Sequence, residues 1–421
     1  MATAADDEIE TDDRWTKPPF LRRVRIRGYK SIEFCDVALQ PLTVLVGRNA
    51  SGKSNFLGAL AFLADALEGG TDEAVRRHGG REAILHRPGR GTTVSLSLEA
   101  GFRDRETGNS FEAVYDIAIR LPARAKPHVL SEQIQIRNRR DHSLVGFSRK
   151  KERIDWTGFR GEDEAPPPWC RRDRLALSLY RFPQLPEWSP GLLLARFFKF
   201  APDAIRELRK PTPGNLLERD GRNLASVLAS IEEFDSDVAG RIQAYLSVIV
   251  EDIQAIRVVH YGDFETVRFL VRSTEKKPQA FDAACMSDGT LRAIAALVAA
   301  FQAVLPYGPG VIGIEEPETA LHPAAMHALI HALDEATANT QILLTTHSAD
   351  LLSDPIVRPS QVLVVRSRQG RTLITPVDVA SRDIIAKELY SLAELQRQDQ
   401  LDLDEEDLRR QAAENAAEGG R

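Results

Sequence analysis

One stretch constrains this chain more than any other: Gly47-Arg-Asn-Ala-Ser-Gly52-Lys53-Ser54, an unbroken match to GxxxxGK[ST]. It lies between a short apolar run, Leu42–Val46, and a helically spaced stretch over residues 53–67 that closes at Gly69-Gly70. Bounded by Pro41 and Gly47, the apolar run predicts a buried parallel strand. Glycines let the loop curl so that its N–H groups face a phosphate, and the helix N-terminus adds partial positive charge. Lys53 would reach the β- and γ-phosphates, and the Ser54 hydroxyl would hold Mg²⁺. The candidate nucleotide loop is therefore Gly47, Arg48, Asn49, Ala50, Ser51, Gly52, Lys53, Ser54 and Asn55. The competing reading, a glycine-rich turn with a chance Lys-Ser, leaves the strand before it and the helix after it unexplained.

Three further motifs follow in order. Val311-Ile-Gly-Ile-Glu315-Glu316-Pro-Glu brings two adjacent carboxylates to the end of an apolar strand, the edge where ligands gather in open α/β sheets. Neighbouring strand residues point to opposite faces, so the pair divides its work. Glu315 would assist Mg²⁺, and Glu316 would orient and polarise the attacking water; a solvated acidic turn is the alternative. His347 ends Gln341-Ile-Leu-Leu-Thr-Thr-His, a place suited to a γ-phosphate sensor, although a lone strand-end histidine is more often structural. Met286-Ser287-Asp288-Gly289-Thr290 opens an apolar helix, and taken alone Ser287 is fully explained as a helix cap. The order of the four motifs argues against the bland reading of each.

The surrounding pattern is mixed α/β. Leu21, Val24 and Ile26 are interspersed with arginines, and residues 32–39 read as a return strand. Period-two alternation over residues 94–146, with Phe111, Ala113, Tyr115, Ile117, Ile119 and Leu121 in step, predicts an antiparallel sheet with one covered face. Residues 160–190 are rich in proline and charge and read as an irregular connection; 192–250 return to helical spacing, and strands resume near 253–272. Strand–helix–strand follows: 311–314, 323–336, 341–345, then a hairpin over 362–375 turning at Gln369-Gly370. No heptad run is sustained, so no coiled-coil arm is expected.

That sequence of motifs resembles the ABC-type ATPases of the SMC/RecF/OLD kind, which include bacterial predicted AAA-family ATPases. The resembling residues are RIRGYKSIEF leading into LVGRNASGKSNFL, then MSDGTLR, IEEPETALHP and LLTTHSADLL, with a weaker likeness in YSLAELQRQDQL. The resemblance implies an α/β fold: an ABC ATPase head, made of a P-loop NTPase core and an antiparallel β subdomain, with a helical insertion. It implies ATP and Mg²⁺ as ligands and a head-to-head homodimer with ATP sandwiched at the interface. Ser287 and Gly289 would face the γ-phosphate held by the other subunit, and Ala320-Leu321-His322-Pro323 would cross the interface as the D-loop. Three features depart from the commoner pattern. Glu315 stands for the usual Walker-B aspartate, Asp288 replaces a signature glycine, and no Q-loop glutamine is identified, Gln133 and Gln135 both remaining unassigned.

The expected organisation is a disordered acidic tail over 1–18, the first part of the head over 19–135, and an irregular and helical insertion over 136–252. The second part of the head follows over 253–400, and a second disordered acidic tail over 401–421. Each tail segment, 1–18 and 402–421, carries −4, so the net −6 leaves +2 on the body. The longest apolar run falls short of the ~18–20 residues of a membrane span, and the start has no signal-peptide pattern. Cys35, Cys170 and Cys285 form no CxxC pair, so neither disulfides nor a zinc site is implied and a cytoplasmic location is expected. His327 and His331, at i and i+4, lack the glutamate of a zincin and read as a helix-surface pair. Basic residues from Arg137 to Arg174, Arg149, Lys150 and Lys151 among them, read by default as a solvated sheet edge, with a DNA-phosphate surface as the alternative. The expected function is ATP hydrolysis driving a DNA-linked repair or phage-defence complex, with a separately encoded effector, a Toprim-type nuclease being the candidate. The alternative is a nucleotide-gated scaffold that does not bind DNA.

Overall fold

The apolar runs bracketed by glycine and proline become strands, and their two faces feed two separate cores. A computed structural model describes residues 20–86, 91–103, 108–158, 166–179, 195–212, 216–273 and 277–419. In chain order the strands are β1 (Phe20–Tyr29), β2 (Ile32–Ala38), β3 (Leu42–Val46), β4 (Thr93–Arg103), β5 (Ser110–Arg120), β6 (His128–Asn138), β7 (Leu144–Lys150) and β8 (Arg153–Thr157). They continue with β9 (Arg196–Phe198), β10 (Ile253–Tyr261), β11 (Phe264–Val271), β12 (Gln279–Asp282), β13 (Val311–Glu315), β14 (Gln341–Thr346), β15 (Val362–Arg368) and β16 (Arg371–Pro376).

The central sheet has the order β16-β15-β3-β14-β13-β9 and is parallel except for β16, which returns from β15 in a hairpin. Its strands alternate strictly. Leu45, Leu343, Leu363 and Val365 enter one core, while Val44, Val46, Ile342, Leu344 and Val364 enter the other. In the first core, the helix Lys53–Gly69 lies between this sheet and the antiparallel sheet β2-β1-β4-β5-β6-β7-β8. A helix covered on all sides must be apolar all round, and its Phe56, Leu57, Leu60, Phe62, Leu63 and Leu67 are all buried. The second core holds the helices Leu224–Phe234, Ser236–Ile249, Asp288–Phe301 and Pro323–Ala336 against the opposite face. No described helix is long and apolar enough to cross a membrane.

Three expectations about organisation need correction. Residues 136–252 do not form a single irregular and helical insertion: β7 and β8 extend the antiparallel sheet, and β9 pairs with β13 inside the central sheet. Residues 401–421 include the helix Glu405–Gly419, which is polar and is docked by polar contacts. Arg410 Nη1 donates to the buried Asp36 at 2.9 Å, and Gln411 Nε2 donates to the Ile374 carbonyl at 2.9 Å. Arg149, read as a surface cation, is fully buried against Glu132 at 3.1 Å and donates to the Arg174 and Arg171 carbonyls. Residues 1–18 and most of 160–190 lie outside the described residues.

Candidate nucleotide site

Parallel strands deliver their C-terminal ends to one edge of a sheet, and the motif residues collect there. β3 runs into the P-loop, which winds through left-handed turns at Ala50 (φ 62°) and Gly52 (φ 106°). A Cβ at Gly52 would also collide with the Thr372 hydroxyl, which donates to the Ser51 carbonyl at 3.0 Å. Asn55 donates to Ser31 at 2.6 Å, and Ser31 in turn bonds Thr372 at 2.6 Å, so β16 and the β1–β2 turn brace the loop. No side chain caps the first turn of Lys53–Gly69, which leaves its N–H groups to an anion. Lys53 is buried, and its Nζ donates to the carbonyls of Gly47 at 2.8 Å and Arg48 at 3.1 Å. Burial lowers its pKa, against the pull of Glu316, Glu318 and Glu315.

Ser54 Oγ donates to Glu315 Oε2 at 3.0 Å, joining the P-loop helix to the end of β13. Two oxygen donors so placed suit a hard divalent cation, and the uncapped, positively turned loop suits phosphate, so these residues fit Mg²⁺ and ATP. Glu316 leaves the strand at φ 44°, and its N–H donates to the Thr345 carbonyl at 3.0 Å. A turn rather than strand pleating therefore separates the two carboxylates. Glu316 Oε1 then meets His347 Nδ1 at 3.3 Å at the end of β14. Behind them Glu318 is buried; Thr346 donates to one oxygen, and the other has no partner among the described residues. Burial pushes its pKa up, and the Thr346 hydrogen bond only partly offsets this.

Ser287 does cap the helix Asp288–Phe301, accepting from Thr290 N at 3.2 Å. It also lines, with Gly289, Thr290, Ala320, Leu321 and His322, an open cavity of about 930 Å³. A Cβ on Gly289 would strike the Ala320 carbonyl, so the two loops are in backbone contact. The loops that carry Ser287–Thr290 and Ala320–His322 thus form one surface, whose lining residues are not those of the edge that holds Ser54 and Glu315.

Sequence reasoning missed two cations at that edge. Lys30, half-buried on the β1–β2 turn at φ 49°, and Lys199, just beyond β9, line a cavity of about 280 Å³ with Ser54 and Glu315. Gln133 and Gln135 lie in β6 of the antiparallel sheet, not beside β13. The closing stretch is also nearby: Asp399 pairs with Arg48 of the P-loop at 2.8 Å and with Arg366 at 2.6 Å, and Arg397 pairs with Asp350 at 2.6 Å. His327 and His331 both face Asp354 Oδ2, at 2.8 and 3.2 Å, a partner far away in sequence. No cluster of three or more His, Cys, Asp or Glu suited to a metal occurs among the described residues.

This fold is that of an ABC-type ATPase head of the SMC-like kind. A crystal structure of an Smc head bound to the C-winged helix domain of ScpA superposes with a TM-score of 0.50 at 12% identity, covering 86% of this chain and 99% of that one. An Smc head with an extended coiled coil, bound to the C-terminal domain of ScpA and derived from Pyrococcus furiosus, gives 0.49 at 11% identity over 88% and 99%. The SMC head domain from Thermotoga maritima gives 0.40 at 13% identity over 85% and 99%. Within that class, residues 42–354 match the family described as "AAA domain, putative AbiEii toxin, Type IV TA system", and the chain belongs to it. No curated protein is significantly similar to the sequence.

Proposed function

We propose that the chain hydrolyses ATP as a head-to-head dimer and that the dimer's opening and closing controls a separately encoded effector. The observation that carries this reading is the meeting of Ser54, Glu315, Glu316 and His347 at one sheet edge. Lys53 exchanges the Gly47 and Arg48 carbonyls for phosphate oxygens, while the uncapped helix start receives the phosphate charge. Ser54 and Glu315 would hold Mg²⁺, which would supply charge screening for the phosphate oxygens. Glu316 orients the attacking water and accepts its proton, and His347 fixes the Glu316 carboxylate. Ser287 and Gly289 close over the nucleotide held by the partner subunit. The test is ATP turnover and nucleotide binding by purified chain. Glu316→Gln keeps Mg-ATP affinity and lowers turnover by roughly a hundredfold or more, whereas Lys53→Ala loses ATP binding. A Glu316→Gln chain that hydrolyses at the wild-type rate defeats the assignment.

Support for an effector comes from the family, whose description names a toxin system, and from one Smc head, which carries a bound winged-helix domain. A Toprim-type nuclease acting in DNA repair or phage defence is the form proposed. The second reading, a scaffold without DNA, gains support from the cluster over 137–174. There Arg139 pairs with Glu112, Arg153 with Asp155, Arg171 with Asp173 and Arg172 with Glu152, while Arg149 is buried. Paired charges release few counterions, which weakens this edge as a phosphate track, while Arg137, Arg140, Lys150 and Lys151 stay exposed on it. Stimulation of turnover by duplex DNA distinguishes the two.

A further inference from the structure

The closing stretch of the chain crosses the rim of the P-loop and grips it at one side chain. Leu395 and Leu401 are buried and anchor the exposed residues 397–400 between them. Within that span Asp399, at φ 56°, accepts from Arg366 Nη1 at 2.6 Å on one oxygen and meets Arg48 Nη2 at 2.8 Å with the other. Arg366 is mostly covered and also donates to the Leu401 carbonyl at 2.8 Å. It alone balances the Asp399 charge and keeps the stretch in place. The Arg48 side chain is 73% exposed, and an exposed pair of this kind contributes little. Arg48 is therefore held weakly enough to be exchanged for another acid.

A pair of such acids stands on the other functional surface. The helix Ser236–Ile249 ends at Val250, whose N–H donates to the Leu246 carbonyl at 2.9 Å. Asp252 then turns the chain at φ 70° into β10, and its carbonyl accepts from Arg272 N at 2.7 Å. That fixed turn places Glu251 and Asp252 on the lining of the cavity of about 930 Å³ that Ser287 and Gly289 share. Both residues are exposed, and neither carboxylate has an ion-pair partner among the described residues. Arg272 is the single lysine or arginine among the described residues of the lining. Two acids beside a place that takes phosphate repel it unless the arriving surface brings a cation for them. In the proposed dimer that surface is the P-loop rim of the second copy, and Arg48 is an exposed cation on it.

We propose that Arg48 exchanges Asp399 of its own chain for Glu251 and Asp252 of a second copy, so that the closing stretch is a clasp competing with dimerisation. The inference rests on the dimeric ATPase reading. It adds the ion pair that the two copies make and the intrachain pair that each gives up. In a symmetric dimer the exchange occurs twice.

The experiment follows dimerisation of the full chain by sedimentation with a non-hydrolysable ATP analogue and Mg²⁺, beside melting curves and analogue binding. Glu251→Lys with Asp252→Lys should weaken the dimer by about tenfold or more, and adding Arg48→Glu to that pair should restore it. Asp399→Asn should tighten the dimer about two- to fivefold, because the intrachain competitor is gone. A merely structural aspartate would leave the dimer unchanged or weaker. In a chain with Glu251→Gln and Asp252→Asn, Arg48 has no acid to move to, so Asp399→Asn should tighten nothing. This last comparison decides the matter where the triple reversal no longer binds the analogue. The inference is overturned, with the ATPase reading intact, by a Glu251→Lys/Asp252→Lys chain that dimerises like wild type. So it is by a triple reversal that binds the analogue without rescue, by Asp399→Asn that tightens nothing, or by tightening that persists without the two acids. Wild-type chain that binds the analogue yet stays single at every concentration overturns the dimeric reading as well.

Discussion

At the scale of residues, the proposed chemistry rests on Lys53, Ser54, Glu315, Glu316 and His347, gathered at one edge of the central sheet. The P-loop, Glu315, Glu316 and His347 each end an apolar strand, so a local pattern gave both the residue and its place. Lys199 was illegible because its strand, Arg196–Phe198, is too short for a period and pairs with β13, far along the chain. Arg149 was misread because composition cannot say that Glu132 waits across the ladder to neutralise it. Ser287 shows how two readings coexist, since it caps its helix and also lines the open cavity. The two roles separate by substitution. Ser287→Ala should cost about 1 kcal/mol of stability and leave ATP binding intact. Ser287→Arg should leave ATP binding intact but prevent ATP-driven dimerisation, read by sedimentation beside melting curves. Glu318 carries a pH signature. Burial raises its pKa, so its contribution to stability is complete below the ordinary glutamate value of about 4.3 and is lost as pH rises through the folded value. Glu318→Gln should therefore raise stability at neutral pH, with the gain shrinking toward pH 4 in urea melts. A gain that grows in acid would contradict this account.

Elements were legible where periodicity was strong. The P-loop helix, the helix Pro323–Ala336, the alternating strands β4 to β7 and the β15–β16 hairpin fall where the pattern put them. The C-terminal helix Glu405–Gly419 did not, because it has no apolar stripe to announce it. It is docked by a charged knot: the fully buried carboxylate of Asp36 accepts from Arg23 at 2.6 Å and from Arg410 at 2.9 Å, with Arg25 at 3.3 Å. Burial alone would raise the Asp36 pKa, but hydrogen bonds with Arg23, Glu414 and Arg410 hold it well below the usual range. A depressed carboxylate stabilises fully above its unfolded pKa, near 4, and that stability is lost as pH falls through the folded value. Asp36→Asn should cost about 2 kcal/mol at neutral pH, and the difference from wild type should narrow in stronger acid. Limited proteolysis should find residues 405–419 cut earlier in the variant at neutral pH. Equal protection would mean that Gln411 and packing alone dock the helix.

The whole molecule presents its two halves of chemistry on separate surfaces. Lys53, Ser54, Glu315 and Glu316 meet at one edge of the central sheet, whereas Ser287, Gly289 and the D-loop line another cavity. In the proposed dimer a symmetric pair would close twice, each chain lending the loop of Ser287 and Gly289 to the other's P-loop. This arrangement predicts complementation. Lys53→Ala chains lose the P-loop but keep the signature surface; Ser287→Arg chains lose the signature surface but keep the P-loop. Alone, neither variant can assemble an intact site, so turnover should be close to background. Mixed, each heterodimer holds one site with both defects and one with neither. Random pairing of equal amounts then leaves about a quarter of all sites intact, and turnover should return to about that fraction of wild type. The assay is ATP hydrolysis across mixing ratios, with the maximum at equal amounts. A chain that works as a monomer would show only the average of two inactive proteins at every ratio, and that flat line would remove the sandwich from the proposed mechanism.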